Sequence, residues 1–264
     1  MLIKLIKYDM KSMIKDTSFI YLITFISCIM AAIFMNFIDS ENLFIKIIVT
    51  LVIIFSVIML ITINIVTLVA VIKRFYTNVL KDQGYLTNTL PITKGTLVLS
   101  KYISSSLMLI ISSIVTVILS TIFSSSNIFS LTSTAIRELN DNINYLGFSF
   151  IPFIIGLIVL FLITCVYFQA FVYTALVLGH AKDRNKILFS ILYAIIINTI
   201  LSIALVFGVY LIEGLSYSFN FSTNMSEQLV INTVIWGLVV ISAIPTIAYY
   251  FITKITLEKR LNLE

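Results

Sequence analysis

Residues 43–72 read LFIKIIVTLVIIFSVIMLITINIVTLVAVI, an apolar run with a single charged residue, Lys46. A helix needs about 20 consecutive apolar residues to cross the hydrocarbon core of a bilayer, so this run is long enough to span it with some tilt. The run is continuously apolar, whereas strands of a membrane β-barrel alternate over about 10 residues. It therefore predicts a transmembrane helix and determines the fold class.

Five further runs of the same kind bring the number of predicted spans in the 264 residues to six. Hydrophobic residues make up 60% of the chain and charged residues 11%, against about 45–50% and about 25% in soluble domains. We therefore expect one all-α integral membrane domain over residues 1–264. The first run is too long for a signal peptide and lacks its cleavage pattern. The predicted spans are Ser18–Ile38, Leu43–Ile72, Ile103–Phe123, Phe148–Leu178, Ile187–Ile212 and Leu229–Thr253.

Basic residues fall almost entirely on one side of these spans. Six spans put both chain ends on the same side, which carries fifteen basic and six acidic residues, a net charge of +9. The other side carries two basic and six acidic residues, a net charge of −4. Because cytoplasmic loops are enriched in Lys and Arg, both termini are predicted to be cytoplasmic. The basic charge is explained by this placement, and no nucleic-acid partner is expected.

The N-terminal residues, MLIKLIKYDMKSMIKD, follow a helical pattern. The pattern favours an amphipathic helix in the membrane interface over residues 1–17. A basic flank that only orients the first span is an equally open interpretation. At the other end, residues 254–264 are predicted to form a cytoplasmic tail. The lysines of one helical face are Lys4, Lys7, Lys11 and Lys15, and the apolar residues of another are Ile3, Ile6, Met10 and Met13.

The chain carries few groups that could perform chemistry. It has no G-x-x-x-x-G-K-[ST] motif and therefore no P-loop for ATP. Its one histidine, His180, is interpreted as a surface or interfacial residue, not a metal ligand. Cys28 and Cys165 lie in apolar runs and are interpreted as small buried hydrophobic residues. Without a Ser/His/Asp or paired-carboxylate arrangement, we expect neither an enzyme nor a metal or cofactor bound by this chain.

Charged residues are scarce inside the predicted spans. Lys46 and Glu213 lie near outer ends, where their charged groups can reach the interface. Ionisable residues at mid-depth usually mark proton or ion routes. Their scarcity argues against an ion-coupled carrier and indicates that the energy for any transport comes from outside the chain.

Neutral polar residues inside the spans have two open interpretations. They could line a path for an amphiphilic substrate or form a dimer face, or they could hydrogen-bond between closely packed helices. Hydrogen bonding between helices is favoured for any single residue. The Ser-rich third span is the best place to expect a substrate or dimer face. In the sixth span, Pro245 is predicted to cause a kink. The candidate substrate or dimer face comprises Asn64, Ser105, Ser112, Ser113 and Gln169.

Residues 73–102, KRFYTNVLKDQGYLTNTLPITKGTLVLSKY, form the one long polar segment on the predicted cytoplasmic side. The second span is predicted to continue through KRFYTNVLKD as a helix until Gly84 permits a turn. Tyr85 and the leucines after it are apolar and need a surface to cover. Pro91 ends that stretch, and Thr93 is a plausible N-cap for the helix leading into the third span. A short helix between such breaks suits docking in a partner's cleft; the alternative is a loop on lipid headgroups.

The pattern D-Q-G-Y-L-x-x-T-L-P-I-T-x-x-x-L-x-x-S-K, over Asp82–Lys101, resembles permease subunits of type 2 ABC exporters, particularly small ones from Firmicutes. The opening K-L-I-K-Y-D (Lys4–Asp9) and the ending K-R-L-N-L-E (Lys259–Glu264) are similar to those of the same family. The six-span plan covers the rest of the chain. Gln83 stands where an acidic residue is common in the family, which weakens any inference of charge pairing there.

The resemblance implies that two permease subunits, identical or sister chains, pair in the bacterial cytoplasmic membrane. Each would bind a separate ATP-binding subunit, which holds ATP and Mg²⁺. The polar segment would contain a coupling helix, and ATP hydrolysis would drive export of an antimicrobial peptide, lipid or drug, with self-protection a common theme. The residues carried over to the coupling role are Lys81, Asp82, Gln83, Gly84, Tyr85, Leu86, Pro91 and Thr93.

The sequence leaves two other function classes open. A substrate-capturing subunit of a vitamin importer also has about six spans and no P-loop, although the long polar segment fits it poorly. A membrane-embedded enzyme or protease is disfavoured because the catalytic residues it needs are missing. Tight binding of a vitamin, or activity of the purified chain without any partner, would distinguish these alternatives.

Overall fold

A computed structural model describes residues 2–38, 40–81, 93–123, 137, 150–182, 185–218 and 227–259. Within these residues the fold is all-helical, as predicted, and six helices are long and apolar enough to cross a membrane. A π-helical turn, Tyr76–Leu80, continues the second helix. The helices are α1 Leu2–Met35, α2 Leu43–Phe75, α3 Lys94–Phe123, α4 Phe150–His180, α5 Lys186–Ser218 and α6 Glu227–Lys259.

Long apolar side chains cover the outer faces of the helices. Ile61 is 58% exposed, Val117 is 62% exposed and Ile203 is 63% exposed. Soluble proteins rarely expose large contiguous apolar patches, because apolar surface in water is unfavourable. Lipid chains remove that penalty, and a helix satisfies its backbone hydrogen bonds internally. These helices therefore suit a multi-pass membrane protein.

The first helix differs from the predicted arrangement. α1 runs without interruption from Leu2 past Ser18, the predicted start of the first span. Its 34 residues extend about 51 Å at 1.5 Å per residue. The segment predicted as an interfacial helix over residues 1–17 is thus continuous with the first span, and its position in the interface stays a prediction. The four lysines of its charged face, Lys4, Lys7, Lys11 and Lys15, are exposed.

The last helix is longer than the predicted span. α6 passes Thr253 and ends at Lys259, so the first part of the predicted tail 254–264 is helical. Pro245 lies inside the helix. Since proline has no N–H, it cannot bond to the carbonyl oxygen of Ile241 one turn earlier. The kink at this position stays a prediction.

The chain divides into two compact units, Met1–Phe75 with Leu99–Ile143 and Tyr76–Val98 with Asn144–Glu264. The first unit contains α1, α2 and most of α3. In it α1 packs against α2. Apolar contact gives little driving force between helices in lipid, so small residues and interhelical hydrogen bonds carry the association.

Two hydrogen bonds join α1 and α2 in this way. The Oγ of Ser56 donates to the carbonyl oxygen of Ser27 at 2.8 Å. The hydroxyl groups of Tyr21 and Thr67 lie 2.9 Å apart. Ser56, Ser27 and Thr67 are all buried, so these polar groups are satisfied inside the unit.

In the second unit α4 packs against both α5 and α6. The Oγ1 of Thr174 lies 3.0 Å from the Oγ1 of Thr253 and 3.1 Å from the carbonyl oxygen of Tyr249. At the junction of α4 and α5, Asn185 adopts a φ of 51°. Asn tolerates this left-handed conformation better than most residues, and it immediately precedes the start of α5.

Candidate functional site

Near its start, the polar segment contains the π-helical turn Tyr76–Leu80. The N–H of Lys81 donates to the carbonyl oxygen of Tyr76 at 3.1 Å, the five-residue spacing of a π-helix. Asn78, Val79 and Leu80 are buried. The helical continuation predicted beyond Ile72 is therefore present as far as Leu80, with a wider last turn. Such turns occur frequently at functional sites.

The π-helical turn contacts the end of α4 through an aromatic pair. The rings of Tyr76 and His180 meet edge to face, with centroids 5.2 Å apart and an interplanar angle of 75°. The Nδ1 of His180 lies 2.9 Å from the carbonyl oxygen of Leu176. His180 is only 8% exposed, where the sequence predicts a surface or interfacial residue. The difference arises because its partner Tyr76 is distant in sequence.

The polar segment leads into α3 through a capped helix start. The backbone N–H of Thr96 donates to the Oγ1 of Thr93 at 3.3 Å, which is the bond an N-cap makes. The predicted capping role of Thr93 is confirmed. The hydroxyl of Tyr250 on α6 donates to the carbonyl oxygen of Gly95 at 3.3 Å. A Cβ at Gly95 would lie 3.3 Å from that hydroxyl, so the lack of a side chain permits the close approach.

The predicted coupling residues lie largely beyond the part of the chain that the structure describes. Lys81 and Thr93 are described, and both are exposed. Their roles in coupling stay predictions. The members outside the described residues are Asp82, Gln83, Gly84, Tyr85, Leu86 and Pro91.

A buried ion-pair cluster, Asp9, Arg74 and Lys101, joins α1, α2 and α3 inside the first unit. The Nζ of Lys101 lies 2.7 Å from both carboxylate oxygens of Asp9. The Nε of Arg74 donates to the Oδ1 of Asp9 at 3.1 Å. Asp9 and Lys101 are each 3% exposed. One carboxylate thus accepts hydrogen bonds from cations on two different helices.

Sequence reasoning missed this cluster. Asp9 and Lys101 lie outside the predicted spans, so the expected scarcity of mid-depth charge did not reveal them. A signal was present: on a helix of 3.6 residues per turn, Asp9 lies far from the face of the four N-terminal lysines. Met13 and Thr17 follow Asp9 at four-residue spacing and are buried. The side of α1 carrying Asp9 is therefore its packed side.

Some residues of the candidate substrate or dimer face are joined inside the first unit. The Nδ2 of Asn64 donates to the Oγ1 of Thr116 at 2.9 Å, and the Oγ of Ser112 donates to the Oδ1 of Asn64 at 3.0 Å. These bonds link α2 and α3, as the interpretation of hydrogen bonding between closely packed helices requires. A role in substrate binding or dimerisation stays a prediction for the whole set.

The other members of the set are placed separately. Ser113 donates to the carbonyl oxygen of Ile110 on its own helix at 2.8 Å. Ser105 is buried in the same helix, and Gln169 is buried in α4 of the second unit. The structure does not bring Gln169 together with Asn64 within one unit.

The described part of the chain contains no group of three or more His, Cys, Asp or Glu residues that could hold a metal ion. Cys28 is buried and Cys165 is half-buried, and both are free thiols. Both residues thus lie at least partly inside the helix packing.

No protein-family model matches the chain, and neither the curated proteins nor the solved structures contain a significant match.

Proposed function

We propose that the chain is the permease subunit of an ABC exporter in the bacterial cytoplasmic membrane. It would export an amphiphilic substrate, such as an antimicrobial peptide, a lipid or a drug. A separate ATP-binding subunit would supply the energy, and a second permease subunit would complete the pathway. Both termini and the polar segment would lie in the cytoplasm.

The observation that carries the proposal is that Tyr76 and Gly95, two residues on either side of the predicted coupling residues, both contact other helices of the second unit. Before the coupling residues, Tyr76 packs on His180 at the end of α4. After them, Gly95 receives the hydroxyl of Tyr250 from α6. A push on the intervening residues is therefore delivered directly to long apolar helices. A loosely tethered loop would absorb such a push in its own bending.

The sequence supplies the second line of support. The polar segment lies on the side with a net charge of +9, and the chain has no P-loop of its own. A transporter without a P-loop needs a partner that hydrolyses ATP, and it needs a surface on which that partner can dock. Tyr85 and Leu86 are apolar residues in a polar stretch and are the best candidates for that surface. ATP and Mg²⁺ would be held by the partner.

Copurification tests the proposal directly. The protein is extracted in mild detergent from its native host and purified through an affinity tag. We expect a soluble ATP-binding-cassette protein to copurify with it in stoichiometric amount. The double substitution Tyr85→Asp with Leu86→Asp should abolish this association, because two carboxylates cannot enter an apolar cleft without large desolvation costs.

The matched control is Tyr85→Phe with Leu86→Met, which preserves the apolar character at both positions. It should retain the ATPase. Normal recovery of the ATPase with the aspartate double variant would contradict the docking assignment. Tight binding of a vitamin by the isolated chain would instead favour the importer subunit, and catalytic turnover without a partner would favour an enzyme.

A further inference from the structure

The ion-pair cluster lies at the two boundaries of the polar segment. Arg74 is the second residue of the segment, and Lys101 is its last residue but one. Both cations hydrogen-bond to the carboxylate of Asp9, at 3.1 Å and 2.7 Å respectively. The start and the end of the segment are thus joined through one side chain of α1.

Because Asp9 and Lys101 are buried, separating their charged groups is costly. Taking an ammonium and a carboxylate out of water is costly, and the cost is repaid only when the two groups meet with good geometry. Lys101 lies within 2.7 Å of both oxygens of Asp9, so its geometry is close to ideal for a charge-assisted bond. Separating α1 from α3 would leave both charges buried apart, and the pair therefore favours one spacing of the helices.

The rest of α1 is consistent with a fixed orientation. Met13 and Thr17 continue the packed side of the helix beyond Asp9, at 1% exposure each. Lys4, Lys7 and Lys11 are exposed, pointing away from that side. A rotation of α1 would bury lysines and expose Asp9, so the cluster and the lysine face oppose it together.

We propose that Asp9 is a positioning residue that fixes the separation between the two boundaries of the polar segment and makes α1 move with them. The relevance to transport rests on the proposed function, because it is an ATPase that would load the segment. The positioning itself is a property of this chain alone. α1 would then be a third element, beside α2 and α3, that responds when the segment is displaced.

A spin-label distance measurement on the purified chain tests the positioning. Nitroxides are attached at Lys73→Cys and Leu99→Cys, both exposed positions of the first unit, in a Cys28→Ser, Cys165→Ser background. Asp9→Asn should lengthen the mean distance between the labels and broaden its distribution. Asp9→Glu, which keeps the charge, should restore a narrow distribution. The same narrow distribution in Asp9→Asn as in the parent would overturn the proposal.

Asp16→Asn is the matched control. It removes a carboxylate from the same helix two turns later, where the side chain is exposed. It should leave the distance distribution unchanged, and a change as large as that of Asp9→Asn would contradict a specific role of Asp9.

If Asp9→Asn does not fold, Arg74→Gln gives the second test, because the side chain of Arg74 is 23% exposed and the bonds between Lys101 and Asp9 stay in place. It should also broaden the distribution, and an unchanged distribution there would overturn the proposal. These measurements need no ATPase. If no ATPase copurifies with the parent chain, the proposed function fails while the distances still decide the role of Asp9.

Discussion

The Nζ of Lys101 lies 2.7 Å from both carboxylate oxygens of Asp9, a residue 92 positions earlier in the chain. Asp9 ends the opening motif K-L-I-K-Y-D, and Lys101 ends the pattern found in the polar segment. Two of the three stretches on which the resemblance rests thus meet in one buried ion pair. This contact gives a physical reason why these residues occur together in this chain.

The first prediction concerns the energy of this pair. Asp9→Asn leaves the buried ammonium of Lys101 without its carboxylate, and breaking a buried pair in this way costs about 3–5 kcal/mol. We expect a clear drop in the temperature at which the detergent-solubilised protein loses its monodisperse elution profile. The exposed Asp16 provides the control, since Asp16→Asn should change the free energy of unfolding by less than about 0.5 kcal/mol.

A double-mutant cycle separates this pair from general damage to α1. Lys101→Met alone leaves a buried carboxylate, whereas Asp9→Asn with Lys101→Met removes both charges. The double variant should be less destabilised than the sum of the two single variants, because each single change already removes the interaction between Asp9 and Lys101 and the sum counts that loss twice. Strict additivity would mean that the two residues do not interact.

The second prediction addresses the amide of Asn64. Asn64→Leu removes the hydrogen bonds to Thr116 and Ser112, each worth about 0.6 kcal/mol on average in membrane bundles. We expect the free energy of unfolding to fall by about 1–2 kcal/mol. Asn198 is the matched control: it lies in α5 and is exposed, so Asn198→Leu should be neutral or stabilising. Unchanged stability of Asn64→Leu, with loss of transport, would favour the substrate interpretation.

The third prediction compares two glycines. A Cβ at Gly179 would overlap the backbone N and Cα of Ser190 as well as its Oγ, so Gly179→Ala must displace α5 from the end of α4. Overpacking of this kind costs about 1–3 kcal/mol. At Gly208 nothing lies within 4 Å of the added Cβ, and Gly→Ala within a helix should stabilise by about 0.5–1 kcal/mol. A lower unfolding temperature for Gly179→Ala together with a higher one for Gly208→Ala would confirm the packing. A change of the same sign in both variants would contradict it.

The helices could be predicted from the sequence because lipid imposes a local rule. A run such as residues 43–72 must be helical wherever it crosses a bilayer, since its backbone groups have no other partners there. The cap at Thr93 was predictable for a similar reason, because an N-cap bond spans only three residues. Both features depend on near neighbours in the chain.

The contacts that fix the candidate site could not be predicted in this way. The burial of His180 depends on Tyr76, and the charge of Asp9 is satisfied by Arg74 and Lys101 from two other helices. A single sequence shows the residue types but not which helices meet. The boundary of α1 was missed for a related reason: hydropathy marks where lipid contact begins, whereas the helix itself continues back to Leu2.

The decisive measurement is whether the polar segment touches a separate ATPase. A photo-crosslinking amino acid is introduced at Tyr85 and, as a control, at Phe37, an exposed position just after α1. After irradiation of native membranes, we expect an adduct at Tyr85 that mass spectrometry identifies as an ATP-binding-cassette protein, and no such adduct at Phe37. A Tyr85 variant that is expressed and membrane-inserted yet gives no ATPase adduct would contradict docking of an ATPase on the polar segment.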